Sequence, residues 1–112
     1  MSPMRRLGVA AVLVVVGMLS ANAWLAWAQD PGLIEAGHRG FMKQGCYGCH
    51  TVGKMGTPIG PDLSHVGAKY RAEYLERWLR DPAYLRPSTH MPALELSDDD
   101  IKAIAAFLAN SQ

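Results

Sequence analysis

A small all-α fold, of about three main helices joined by long loops, is what the sequence predicts on three observations. Apolar residues recur at helical spacing in three short segments. No segment keeps up the apolar and polar alternation of paired strands. The 112-residue chain has room for one domain. Once an apolar N-terminal stretch is set aside, what is left, residues 29–112, is too short to bury a comfortable core alone. Domains of that size commonly recruit a metal, a cofactor or crosslinks, so the loops are expected to close around something other than side chains.

The elements follow in chain order. Arg5 and Arg6 precede an almost wholly apolar run, residues 7–19, and Ala26-Trp27-Ala28 fits the A-x-A pattern after which a signal peptidase cuts. Residues 1–28 are therefore expected to be a signal peptide, with the mature chain starting at Gln29. An uncleaved membrane anchor is the rival reading, because roughly 20 apolar residues span a bilayer, although Ser20 and Asn22 weaken it. Under either reading the arginines stay in the cytoplasm. The domain is then periplasmic or on the outer face of the cytoplasmic membrane. Without residues 1–28 the chain has 9 basic and 10 acidic residues, a net charge of −1, which argues against nucleic acid as a partner.

A first helix is expected over residues 33–44, where Gly37 and Gly40 lower the propensity and suggest close approach of another backbone beside Phe41. Residues 53–60, rich in Gly and Pro, read as a loop. A second helix, residues 70–80, carries Tyr74, Leu75, Trp78 and Leu79 on one face and stops ahead of Pro82. A third starts at Ser97 as N-cap. It has Asp98, Asp99 and Asp100 in the first turn, where the helix dipole favours acids, and Ile101, Ile104, Ala105 and Leu108 on one face. These aspartates read as capping rather than as a calcium loop, which needs ligands at alternate positions and a later glutamate.

Between the first two helices lies Cys46-Tyr47-Gly48-Cys49-His50, a CxxCH motif that uses both cysteines of the chain. It points to covalent c-type haem: each thiol adds across one vinyl group, and the adjacent histidine reaches the iron. A thioredoxin-like dithiol would sit beside a βαβ pattern, which is missing here. A structural zinc would need further ligands; His38 and His65 form no H-x3-5-H set. His50 leaves iron one ligand short. Met42 precedes Cys46 on the same helix and Met55 follows His50 closely, so neither easily crosses to the opposite side. Met91, far along the chain and followed by Pro92, sits in a stretch that Pro87 and Pro92 keep out of helix. Met91 is the expected distal ligand, and His90 the alternative.

Taken with Gly37-x-x-x-Phe41, Gly60-Pro61-Asp62-Leu63, Asp81-Pro82, Met91-Pro92 and a final helix carrying Phe107, the motif makes the chain from about Leu33 to Ala109 resemble a class I monohaem cytochrome c, so that residues 29–112 are expected to form one such domain. The runs 59–67 and 77–82 are similar to the haem c domain attached to subunit II of some bacterial cytochrome oxidases, and to membrane-anchored respiratory cytochromes. The resemblance implies the small cytochrome c fold around one covalent haem c, with Cys46 and Cys49 attaching it, His50 proximal and Met91 distal. It also implies that the Pro61 carbonyl accepts a hydrogen bond from His50 Nδ1, that the first and last helices cross near Gly37, Phe41 and Phe107, and that Trp78 and Tyr70 reach a haem propionate. Oxidase-linked domains follow a copper domain, for which this sequence has no counterpart, so a free or simply anchored carrier is expected. The expected function is one-electron transfer, not enzymatic catalysis, between redox proteins such as a quinol-oxidising complex, a dehydrogenase or a terminal oxidase. The alternatives are a subunit fixed to one oxidoreductase, or a gas sensor or peroxidase-like enzyme in which Met91 leaves the iron.

Overall fold

Four α-helices among the described residues carry the architecture: α1 (Pro31–Lys43), α2 (Ala72–Arg80), α3 (Pro82–Leu85) and α4 (Asp98–Ala109). The structure is a computed structural model that describes residues 26–112. Most of the expected leader therefore lies outside the described residues, and among those described no helix is long and apolar enough to cross a membrane. Three of the helices are the expected ones; α3 is a short addition.

Three of the four helices start where a side chain satisfies free amides; α2, preceded by Arg71, has no side-chain cap. Asp30 Oδ1 accepts from the amides of Gly32 and Leu33 at 2.8 and 3.2 Å, with Pro31 at the first position. This begins α1 earlier than the expected residue 33. Asp81 repeats the device, accepting from the Tyr84 amide at 3.2 Å ahead of Pro82, so the proline that ends α2 also opens α3. Ser97 Oγ accepts from the Asp100 amide at 3.1 Å and starts α4 with its three acids in the first turn. Gly45, at φ 77°, ends α1 in the left-handed region that glycine tolerates, and turns the chain into Cys46.

The first and last helices cross at their small residues. A Cβ on Gly37 would collide with the Ala103 carbonyl, and one on Gly40 would lie 3.3 Å from Ile104 Cγ1. Phe41 fills the space beside the crossing, 1% exposed, with Phe107 at 5.5 Å and the ring of Tyr47 edge-on at 4.8 Å. α2 lays Leu75 and Leu79 against the same cluster, which α4 completes with Ile101, Ile104, Ala105 and Leu108. Tyr74 and Trp78, expected on the same apolar face, stay half-buried.

Between α1 and α2 the chain has little regular structure. Thr51–Val52 and Met55–Gly56 pair as a two-stranded antiparallel hairpin, with Gly53 at φ 60° in its turn. The hairpin lies partly within the stretch expected to be plain loop. A 3-10 turn, Val66–Ala68, then presses on the end of α4: the Gly67 amide donates to Ser111 O at 2.8 Å, and a Cβ on Gly67 would strike the Ala109 carbonyl. At the other edge a 3-10 turn, Trp27–Gln29, rests on α4, with Lys102 Nζ 5.2 Å from the Trp27 ring centre and Asn110 Nδ2 donating to Ala28 O at 2.6 Å.

Candidate functional site

Cys46 opens a 3-10 turn, Cys46–Gly48, in which its carbonyl accepts from the amides of both Cys49 (3.2 Å) and His50 (3.0 Å). One tight turn thus gathers both thiols and the imidazole. Both thiols are free; Cys49 is exposed and Cys46 half-buried. Burial pushes the Cys46 thiol above its ordinary value, opposed by a backbone hydrogen bond and reinforced by the neighbouring Cys49. Burial thus favours the thiol over the thiolate at Cys46.

The imidazole is fixed from behind. His50 Nδ1 lies 2.8 Å from the Pro61 carbonyl oxygen. A carbonyl only accepts, so Nδ1 carries the proton, and Nε2 is the ring nitrogen left for a metal. Gly60 leaves the space for that ring: a Cβ there would come within 2.8 Å of His50 Cε1 and 3.0 Å of Nδ1. Gly56, at φ 108°, packs against the His50 carbonyl where no side chain fits. The loop that supplies Pro61 is itself braced. Asp62 Oδ1 accepts from Ser64 Oγ (2.6 Å) and the Ser64 amide (2.9 Å), while Ser64 Oγ accepts from the Gly53 amide (2.8 Å). The Ser64 hydroxyl, then its amide, hold the Asp62 carboxyl below the ordinary carboxylate range.

Of the three methionines weighed for the distal side, Met42 and Met55 are 45% and 56% exposed. Met91 is half-buried and packs on the core cluster, as Cys46 does. Its amide donates to Thr89 Oγ1 at 3.2 Å, and its Sδ accepts from the indole Nε1 of Trp78 at 3.1 Å. His90 beside it is exposed. His38 stacks on Phe107 at 5.0 Å, with its Nε2 3.5 Å from the Tyr47 hydroxyl, and His65 is exposed. Among the described residues no three His, Cys, Asp or Glu side chains gather as a metal site, so the zinc reading gains nothing.

The chemistry of this donor set and its surroundings fits a covalently held haem. Two thiols and one free imidazole nitrogen share a turn. Val52, Leu63, Val66, Tyr70 and Met91 flank the core only half-buried, and Ile59 is 74% exposed on the loop leading to Gly60. The segment around the motif is apolar yet unfinished, as a core awaiting a large flat partner would be. Sequence reasoning left out Ser64 and Thr89, whose contacts are short-range Asx- and ST-type turns legible in Asp62-x-Ser64 and Thr89-x-Met91.

Comparison with known proteins agrees with this geometry. A family model described as cytochrome c matches residues 34–112. The cytochrome c oxidase subunit 2 of Alkalihalophilus pseudofirmus is 35% identical over 102 residues, which cover 78% of this chain and 30% of that relative. The chain thus spans less than a third of the length of the curated relative it matches.

Proposed function

Because the chain belongs to the cytochrome c family, with covalent haem c and haem-based electron transfer as its chemistry, we propose that it is an exported one-electron carrier whose iron is ligated by His50 and Met91. The observation that carries this reading is the turn that gathers Cys46, Cys49 and His50 while the Pro61 carbonyl holds the imidazole with Nε2 free. Haem attached there supplies a one-electron ferric/ferrous couple. Cys46 and Cys49 would hold it by two thioethers, each S–H adding across a vinyl double bond so that sulfur and hydrogen both end on the former vinyl group. His50 supplies the proximal nitrogen, and the hydrogen bond to Pro61 keeps the ring from rotating and makes Nε2 a better donor. Met91 supplies a thioether, which favours the ferrous form and raises the midpoint relative to a second histidine. The apolar surroundings add to this by penalising the extra positive charge of ferric iron. His50 and Met91 sit on segments tied by hydrogen bonds, which would hold both in place and keep reorganisation small.

A reductive titration of the haem-loaded protein, followed through the α band and the weak far-red sulfur-to-iron band, tests the reading. The band in the ferric form, a clearly positive midpoint and indifference to carbon monoxide are expected. A missing band with a low midpoint would assign the distal position to His90, and carbon monoxide binding would favour a sensor or enzyme. The relative's name favours a second reading, a subunit fixed to a terminal oxidase rather than a diffusing shuttle. Gentle solubilisation and purification separates the two: co-purification of oxidase activity at high salt fits the subunit, and a monodisperse small protein fits the carrier.

A further inference from the structure

We propose that the bond after Ala28 stays uncut in the working protein, so that the turn Trp27–Gln29 joins the domain, without a linker, to a retained membrane anchor. Such an anchor presupposes the export of the carrier proposed above, though not its iron ligands, and names a lipid bilayer as what holds it. Ala26-Trp27-Ala28 is the A-x-A tripeptide after which a signal peptidase would cut. In the structure it belongs to the fold. The carbonyl of Ala28, part of the bond to be cut, accepts from Asn110 Nδ2 at 2.6 Å, and the Trp27 carbonyl accepts from the Asp30 amide at 3.3 Å. The Asn110 side chain also donates to Ala106 O at 2.8 Å, which ties it to the end of α4. Trp27 is half-buried, with Lys102 Nζ over its ring. Proteases cut exposed, loosely bonded backbone, whereas this bond is closed in a 3-10 turn that packs on α1 and α4.

Those two helices meet through Gly37, Gly40, Phe41 and Ile104, side chain on side chain, so the joint can form without waiting for haem. The sequence ahead of it has the flanks of an anchor. Arg5 and Arg6 stand at the inner end of the apolar run, and Trp24 and Trp27 at its outer end, where indole rings favour the boundary between lipid and water. Residues 7–25 approach the roughly 20 that a span needs. Only Ala26 separates that run from the joint, and its φ of −66° and ψ of −33° are already helical. The domain is thus held close to the lipid instead of swinging on a tether. Its redox partner must bring a redox centre to the bilayer surface, as a membrane-bound protein does.

The full chain, matured with haem and fractionated, tests this through its intact mass and N-terminal residue. The expected result is a mass that includes residues before Gln29, in a protein that stays with membranes through high-salt and alkaline washes and leaves them in detergent. A haem protein that starts at Gln29, or one recovered in the soluble fraction, overturns the inference. The double variant Trp27→Ala, Asn110→Ala opens the joint at residues outside the candidate site. Cleavage after Ala28 should then rise from a trace to a large share of the haem-loaded protein; if the variant stays whole, the joint does not protect the bond and the inference falls. The unsubstituted chain decides by itself if that variant folds poorly. The far-red band keeps the two levels apart. A soluble protein cut at Gln29 that shows the band removes the joint and leaves the carrier; a whole, membrane-held protein without the band keeps the joint and removes Met91 as ligand.

Discussion

Gly60 has no room for even a methyl group, because the ring of His50 stands where its Cβ would be. Gly60→Ala should push the imidazole off the Pro61 carbonyl and destabilise the domain by about 1–3 kcal/mol, the usual cost of overpacking. Thermal unfolding and the His50 ring-nitrogen shifts would check this, and an unchanged Nδ1 shift would refute it. Asp62 gives a pH test. Its carboxyl is held below the ordinary range by Ser64, so its contribution to stability is complete above the unfolded-state value and is lost as pH falls through the lower folded-state value. The braced loop is expected to loosen only in that acidic window, and Asp62→Asn should remove this part of the acid dependence. Amide exchange at Gly53 and Ser64 reports it. At this scale the sequence was legible where chemistry is local, as in the cysteines and histidine of one pentapeptide. The indole of Trp78 meets a sulfur thirteen positions away, and no periodicity signals such a pair.

Among the helices, the crossing of α1 and α4 shows which of two opposed effects wins at Gly37. Alanine there would improve helix propensity by about 1 kcal/mol. Its Cβ, however, would occupy the space of the Ala103 carbonyl, a backbone atom that cannot step aside unless the helices separate. Gly37→Ala is therefore expected to destabilise the protein despite favouring its own helix, and a denaturant melt showing stabilisation would contradict the crossing. Asp30→Ala should cost about 1 kcal/mol by removing the cap of α1, measurable in the same way. Gly37 and Gly40 announced this crossing because two glycines in one short helix have few other reasons to be there. α2 does stop ahead of Pro82 as expected, and the same Asp81-Pro82 dipeptide also begins α3, which periodicity does not signal, just as Asp30-Pro31 begins α1 ahead of the apolar stripe. The hairpin at residues 51–56 leaves no sequence signal, because two residues a side are too few for alternation to register.

Over the whole molecule, no side chain between Gly45 and Arg71 is fully buried, whereas α1, α2 and α4 supply the entire buried cluster. The haem-attachment half of the chain thus depends on its cofactor and hydrogen bonds, and the helical half on its own packing. Amide exchange in the haem-free protein should be slowest in α1 and α4 and fastest across residues 51–64; uniform protection would contradict this division. That contrast was foreseeable from the small domain size and the loop-like composition of residues 53–60, but which helices would form the packed half emerges only from their contacts. A last feature concerns the two edges of the domain. The Asn110 side chain donates to the Ala28 carbonyl, so the start and finish of the described fold lie side by side. A short peptide closing residue 112 onto residue 28 would have only a short gap to bridge. The resulting backbone ring would restrict the unfolded chain and raise stability by up to about 4 kcal/mol, while its seam, remote from both candidate iron ligands in the sequence, leaves the spectrum as it was.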